Sequence, residues 1–205
     1  MTAPKLACPD WTQPGGRRTL AGTKFQETPV TSIAKSHSRE QPAAVDAIQL
    51  LVRDHQEVEA LFKKYDKLKD AHAAASDRQA LAEQICTLLT VHTTIEEDIF
   101  YPAARKAGVE ADLMDEADVE HASAKELIAQ IRGMKPDESY YDAKVTVLGE
   151  GIAHHVEEEQ EEMFPKCRAS GMDLKRLGSE MGKRKTELMQ EAGEELFEDE
   201  RGPAS

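Results

Sequence analysis

Apolar residues recur every three or four positions along five stretches of this chain, the spacing of helices that bury one face. The first stretch runs Ile48, Leu51, His55, Val58, Phe62, Tyr65, and the second Leu81, Ile85, Leu88, His92, Ile95, Ile99. The third runs Met114, Ala117, His121, Ala124, Ile128, Ile131, and the fourth Val145, Leu148, Ile152, His155, Glu159, Met163. Each of these four seams contains one histidine; the fifth, Leu174, Leu177, Met181, Leu188, contains none. Ser76 and Asp77 stand where they can cap the second helix, Gly108 where it can end it, and Gly133 with Pro136 separates the third from the fourth. Connections this short make neighbouring helices antiparallel. The pattern predicts an all-α fold: an antiparallel up-down four-helix bundle over residues 45–192, with a fifth, C-terminal helix packed outside it. Residues 1–44 have no periodicity and include the helix-breaking run Pro14 to Arg18, which predicts a disordered tail, and residues 193–205 read as a frayed end.

The histidines fall at matching heights. His55 lies about as far before the end of its helix as His92 lies after the start of the next, so at ~1.5 Å per residue the two meet inside the bundle. His121 and His155 pair in the same way. Two of the four are followed one turn later by a carboxylate, Glu96 after His92 and Glu159 after His155, and positions four apart share a helix face. The spacing repeats further, because Pro102 and Pro165 each stand ten residues after their histidine. The order His, then His-x-x-x-Glu, thus occurs twice, as a duplicated helical hairpin.

A single histidine on an apolar face is ordinarily a core residue with a hydrogen-bond partner. Four imidazoles and two carboxylates brought to one level of a dry core need a shared purpose, since buried polar groups without partners are costly. A metal ion supplies one. Imidazole and carboxylate without thiolate suit iron or manganese, and zinc can also be held. Two divalent ions against two glutamates and a bridging oxide or hydroxide leave a charge that a bundle interior can accommodate.

Composition narrows the partners. The 205 residues, 40% of them hydrophobic with a single Trp, suffice for one domain with a real core. Residues 1–44 carry +3 of the net −13, so the remainder carries −16. Such an acidic body argues against nucleic acid and membrane surfaces as partners. Cys8, Cys86 and Cys167 are odd in number and widely spaced, which predicts neither a disulfide framework nor a thiolate metal site, and with no signal peptide in view the expected location is cytoplasmic.

At these residues the chain resembles the hemerythrin-like, or HHE, domain family over roughly residues 45 to 190. The resemblance rests on motif order and spacing and on the sequences Phe100-Tyr101-Pro102 and Met163-Phe164-Pro165 that end the two repeats. It implies an antiparallel four-helix bundle holding two iron ions joined by an oxo or hydroxo bridge. By the same resemblance His55 and His92 bind one iron, His121 and His155 the other, and Glu96 and Glu159 bridge them. Members of the family bind oxygen or nitric oxide, sense redox state, handle iron, or decompose peroxide. The expected partner here is accordingly a small ligand, O2, NO or peroxide, with iron buffering or non-catalytic sensing as the alternative.

Oxygen-carrying members have a second histidine on the third helix, one turn after the first, and this chain has Lys125 there. That departure predicts an exchangeable position on one iron and favours peroxide chemistry over oxygen carriage, with the Tyr101 phenol as the candidate catalytic group beside the metals. His154 with Glu158 repeats the His-x-x-x-Glu spacing but lies off the seam and one residue out of register, so it belongs to the rim; Glu59 belongs to a solvated face.

Overall fold

The computed structural model describes residues 45–201, with side chains described up to Gly193. The tail predicted over residues 1–44 lies outside the described residues. Five helical rods make the fold. The first is α1 (Ala47–Asp70). The second joins α2 (Ala75–Ile95) to α3 (Tyr101–Lys106) through a π-helical turn at Glu96–Phe100, and the third is α4 (Ala111–Arg132). The fourth joins α5 (Tyr141–Glu158) to α6 (Phe164–Ala169) through a second π turn at Glu159–Met163, and the fifth is α7 (Leu174–Arg201). Its backbone continues as helix into the stretch read from composition as frayed.

Local chemistry explains the boundaries. Asp46 caps α1 by accepting from the Gln49 amide at 2.8 Å. The second rod departs from expectation: Ala74 holds the capping position, no side chain caps it, and Ser76 and Asp77 lie inside the first turn. Asp77 there still complements the helix dipole. Gly108, at φ +81°, ends the second rod in the left-handed conformation that favours glycine, and Val109 donates back to the Ala104 carbonyl at 3.1 Å. Gly171, at φ +80°, takes the equivalent place after α6, so the duplication extends past the prolines.

Rods one to four alternate in direction and bury most of the seams the sequence marks: Phe62, Leu88 and Ile99 are only partly buried, and Leu89 takes the core position beside Leu88. The core is divided in two. Val58, Ile85, Ile128 and Leu148 belong to one cluster, toward the α1–α2 and α4–α5 connections, and Leu51, Phe100, Met114 and Phe164 to the other, at the opposite end. The polar level of the four histidines lies between them. Helix α7 packs on α1 and α2 through buried Leu177 and Met181. Its approach to the start of α1 is close enough that a Cβ on Gly178 would fall 2.2 Å from the Val45 carbonyl oxygen. Among the described residues no helix is long and apolar enough to cross a membrane.

Candidate metal centre

The six polar residues predicted from the seams, His55, His92, Glu96, His121, His155 and Glu159, are all buried and converge on one point of the bundle. They do so because the seams of four antiparallel rods bring one histidine each to the same height. Nε2 of His55 lies 3.1 Å from Nε2 of His92, and Nε2 of His121 lies 3.1 Å from Nε2 of His155. Each glutamate spans the two pairs. Glu96 Oε2 is 3.2 Å from His92 Nε2 and 3.4 Å from His121 Nε2, while Glu159 Oε2 is 3.2 Å from His55 Nε2 and 3.7 Å from His155 Nε2.

The π turns contribute to this geometry. In each, an amide donates to the carbonyl five residues back, Tyr101 to Glu96 and Phe164 to Glu159. The wider turn ends in each repeat on an aromatic residue whose ring reaches the histidine level. Tyr101 donates from its hydroxyl to Glu159 Oε1 at 2.9 Å and stacks on His121, with ring centres 5.6 Å apart. Phe164 stacks on His55 at 5.9 Å. The prolines that follow have no N–H to offer and sit at the first positions of α3 and α6, where none is needed.

All four rings turn Nε2 inward, and each Nδ1 faces a polar residue that the seams did not reveal. Nδ1 of His121 meets Glu97 at 3.0 Å, Nδ1 of His155 meets Glu120 at 2.8 Å, and Nδ1 of His55 meets the Gln160 amide at 3.1 Å. Nδ1 of His92 faces Asp54 Oδ2 at 3.6 Å; this exceeds a hydrogen bond, and both atoms are buried with no other partner. The carboxylate acceptors at Nδ1 of His121 and His155 fix the proton there and leave the Nε2 lone pair free to bind a cation, whereas at His55 the facing atom is the Gln160 amide nitrogen, a donor. Sequence held a weak signal for these residues: Glu97 and Gln160 each follow a glutamate of the repeat by one position.

The donor set fits a cation. Both oxygens of Glu96 and Oε2 of Glu159 are buried without a hydrogen-bond partner. Lone pairs of imidazole nitrogens 3.1 Å apart, beside carboxylate oxygens, repel unless positive charge sits among them. Donors ~2.1 Å from one ion and at right angles to one another are about 3 Å apart, which is this spacing. Two overlapping groups of ligand atoms result, His55, His92, Glu96 and Glu159 in one and Glu96, His121 and His155 in the other, each with its atoms within 4.8 Å of one another.

Electrostatics lead the same way. Burial, then the charge on Glu159, raises the Glu96 carboxyl well above the usual carboxylate range. Burial opposes ionisation of Glu159 too, but contact with His55 and the charge of His155 outweigh it and hold the group down at about 2. Burial lowers His92, and it pushes His121 down to about 3 with help from His155. Burial acts on His155 as well, yet the bond to Glu120 and the charge of Glu159 leave it raised.

The residues set aside stay apart from this point. His154 is exposed and pairs with Glu158 at 3.3 Å, and Glu59 pairs with Lys63 at 2.5 Å on the surface of α1. Lys125 lies on the outer side of α4. Its ammonium turns outward to both oxygens of Glu97, at 2.6 and 2.5 Å, and so supplies no ligand, as its place in the sequence leads one to expect. Cys86 and Cys167 are free and buried in the two apolar clusters. A groove of about 640 Å3 between α1 and α5, floored by Phe62, Val145 and Ile152, reaches His55 and Gln160 from outside.

Fold and site together define a helical bundle built to hold metal cations between its rods. The chain belongs to the hemerythrin HHE cation binding domain family, whose profile matches residues 46–167. The crystal structure of a hemerythrin HHE cation binding domain-containing protein from Mycobacterium kansasii superposes with a TM-score of 0.60 at 24% identity, covering 75% of this chain and 91% of that one. A curated relative, a DNA nickase from Nostoc sp., is 28% identical over 149 residues. That match takes in 71% of this chain but 41% of the relative, so the chain spans about two fifths of the relative's length.

Proposed function

We propose that the chain holds two iron ions and acts on a small oxygen-type ligand, O2, NO or peroxide, with slow decomposition of peroxide as its activity. The observation that carries this reading is that Glu96 and Glu159 each face one histidine of both pairs with an oxygen that has no other partner. His55 and His92 would hold one ion, His121 and His155 the other, and the two glutamates would bridge them. Bound iron supplies Lewis acidity and one-electron steps to a ligand held there. The chain's own residues do the rest. Tyr101 fixes Glu159 and offers the one hydroxyl next to His121, at 3.5 Å, from which a proton can be donated to a bound ligand. Burial, then the charges of Glu96 and Glu159, raises its phenol well above its usual range. The groove between α1 and α5 gives a ligand of a few atoms a way in past Gln160.

The nicking activity named for the Nostoc relative would require contact with a phosphate backbone. A chain of net charge −13 disfavours that contact, which supports the small-ligand reading. The test is iron content with an optical spectrum recorded before and after peroxide, alongside incubation with supercoiled plasmid. Close to two irons per chain, a peroxide-dependent spectral change and intact plasmid are expected. A metal-free protein, or metal-dependent nicking without peroxide turnover, would overturn the reading.

A further inference from the structure

The four histidines are not backed alike. Beside Glu159, His55 is backed by the neutral amide of Gln160 and His155 by Glu120. Beside Glu96, both backing carboxylates are held by a lysine. Lys125, from α4, grips both oxygens of Glu97, whose Oε1 lies 3.0 Å from His121 Nδ1. Lys185, from α7, lies 2.5 Å from Asp54 Oδ1, and the other oxygen of Asp54 faces His92 Nδ1. The two lysines come from different rods and reach different histidine pairs, yet they converge on the two imidazoles that share Glu96.

We propose that Lys125 and Lys185 are positioning residues that hold the reduction potential of the metal centre up, acting through Glu97 on His121 and through Asp54 on His92. The inference rests on the reading of a redox-active iron pair. At His121 the Glu97 carboxylate accepts the Nδ1 proton and pushes electron density through the ring toward the metal, and so favours the oxidised, more highly charged state; Asp54, 3.6 Å from His92 Nδ1, favours it through its charge. A lysine on either carboxylate draws on its charge and weakens that effect. Its own positive charge also disfavours the oxidised state, screened less at Lys185 beside buried Asp54 than at the exposed Lys125. Asp54 is only 7% exposed, and the partner that balances it comes from the fifth rod, outside the four that supply the histidines. Lys125 thus has a role at the place where the family's oxygen carriers have a histidine: it acts on the centre from outside.

The experiment uses the full-length, iron-loaded protein. Midpoint potentials are measured for Lys125→Met, Lys185→Met and the double variant, with iron content and melting temperature on the same samples. Each single change is expected to lower the midpoint, and the double to lower it further, with iron retained. Lys125→Arg and Lys185→Arg keep the charge and should stay near wild type. Glu97→Gln removes the electron-donating carboxylate and should move the midpoint upward, a reversal that loosened packing would not produce. Lys63→Met, which breaks an ion pair on the exposed face of α1, controls for the loss of one surface charge and should leave the potential unchanged. Unmoved midpoints in both Met variants at full iron, or an equal shift in Lys63→Met, would overturn this proposal alone. Absence of two irons from the wild type would remove the underlying reading and this proposal together.

Discussion

The Tyr101 hydroxyl, on the second rod, donates to Oε1 of Glu159 on the fourth at 2.9 Å, across the middle of the bundle. Both residues belong to the duplicated motif, but the contact joins one copy to the other. Tyr101→Phe leaves that oxygen buried and unpaired, a loss of about 1–3 kcal/mol in the metal-free protein. Iron content should hold, because the ring nitrogens and Glu96 are untouched, while peroxide decomposition slows. Thermal melting of the apo-protein and oxygen evolution by the loaded protein measure the two effects separately.

His155→Ala should lose iron and the stability that bound metal gives, since the three other imidazoles remain pointed at a ligand gap. His154→Ala should keep both, because that ring lies on the surface against Glu158 and Glu120. Metal analysis of the two variants decides the register. Iron lost from His154→Ala alone would move the fourth rod's ligand by one position.

Gly178→Ala should destabilise the docking of α7, although alanine is the better helix former. The new Cβ has nowhere to go among the Val45 carbonyl and the backbone at Asp46 and Ala47, and overpacking of this kind costs about 1–3 kcal/mol. Gly193→Ala, with nothing near it, serves as control and should be neutral or slightly stabilising. Denaturant midpoints of the two variants give the comparison.

The buried thiols predict an alkaline loss of stability. Burial pushes Cys86 up to about 12 and Cys167 up to about 11, from an ordinary 9.0. A group that holds its proton more tightly when folded contributes stability that is complete below the unfolded value and lost as pH rises toward the folded one. In a Cys8→Ser background, stability should therefore decline between about pH 9 and 11, and less so in Cys86→Ala. At pH 8 the native protein should react with a thiol reagent only at the rate at which it opens.

The seams made the bundle legible because the structure that buries them is periodic, and four histidines on four seams could be aligned by counting residues. What counting could not reach depends on departures from regular helix or on contacts between rods. The π turns at Glu96 and Glu159 left a trace only in the prolines that follow. Glu97, Glu120 and Gln160 lie on half-solvated faces, where a polar residue is expected whatever it touches. Lys125 was read for the ligand it does not supply, and its contact with Glu97 lies between rods, where spacing along one helix is silent. The cap of α2 failed for a similar reason: the turn through Ala73 and Ala74 is set by bonds from the end of α1, and Ser76 arrives too late to act on it.

The division of the core into two apolar clusters, one on each side of the histidine level, governs direction. Both ends of the bundle are plugged, by Tyr65, Leu148 and Ile131 at one and by Phe100, Met114 and Phe164 at the other. Apolar packing of this kind among the described residues disfavours an axial route for a polar ligand and leaves the gaps between rods as the favoured way in. Of the seams between rods, the one from α1 to α5 is parted by the groove that ends at His55 and Gln160. Gly149 stands along it with no side chain, and a Cβ there would press on the Phe62 ring at 3.0 Å. Under the function proposed above, a small ligand would reach the centre through this flank, and the width of the gap would set the size of what can enter.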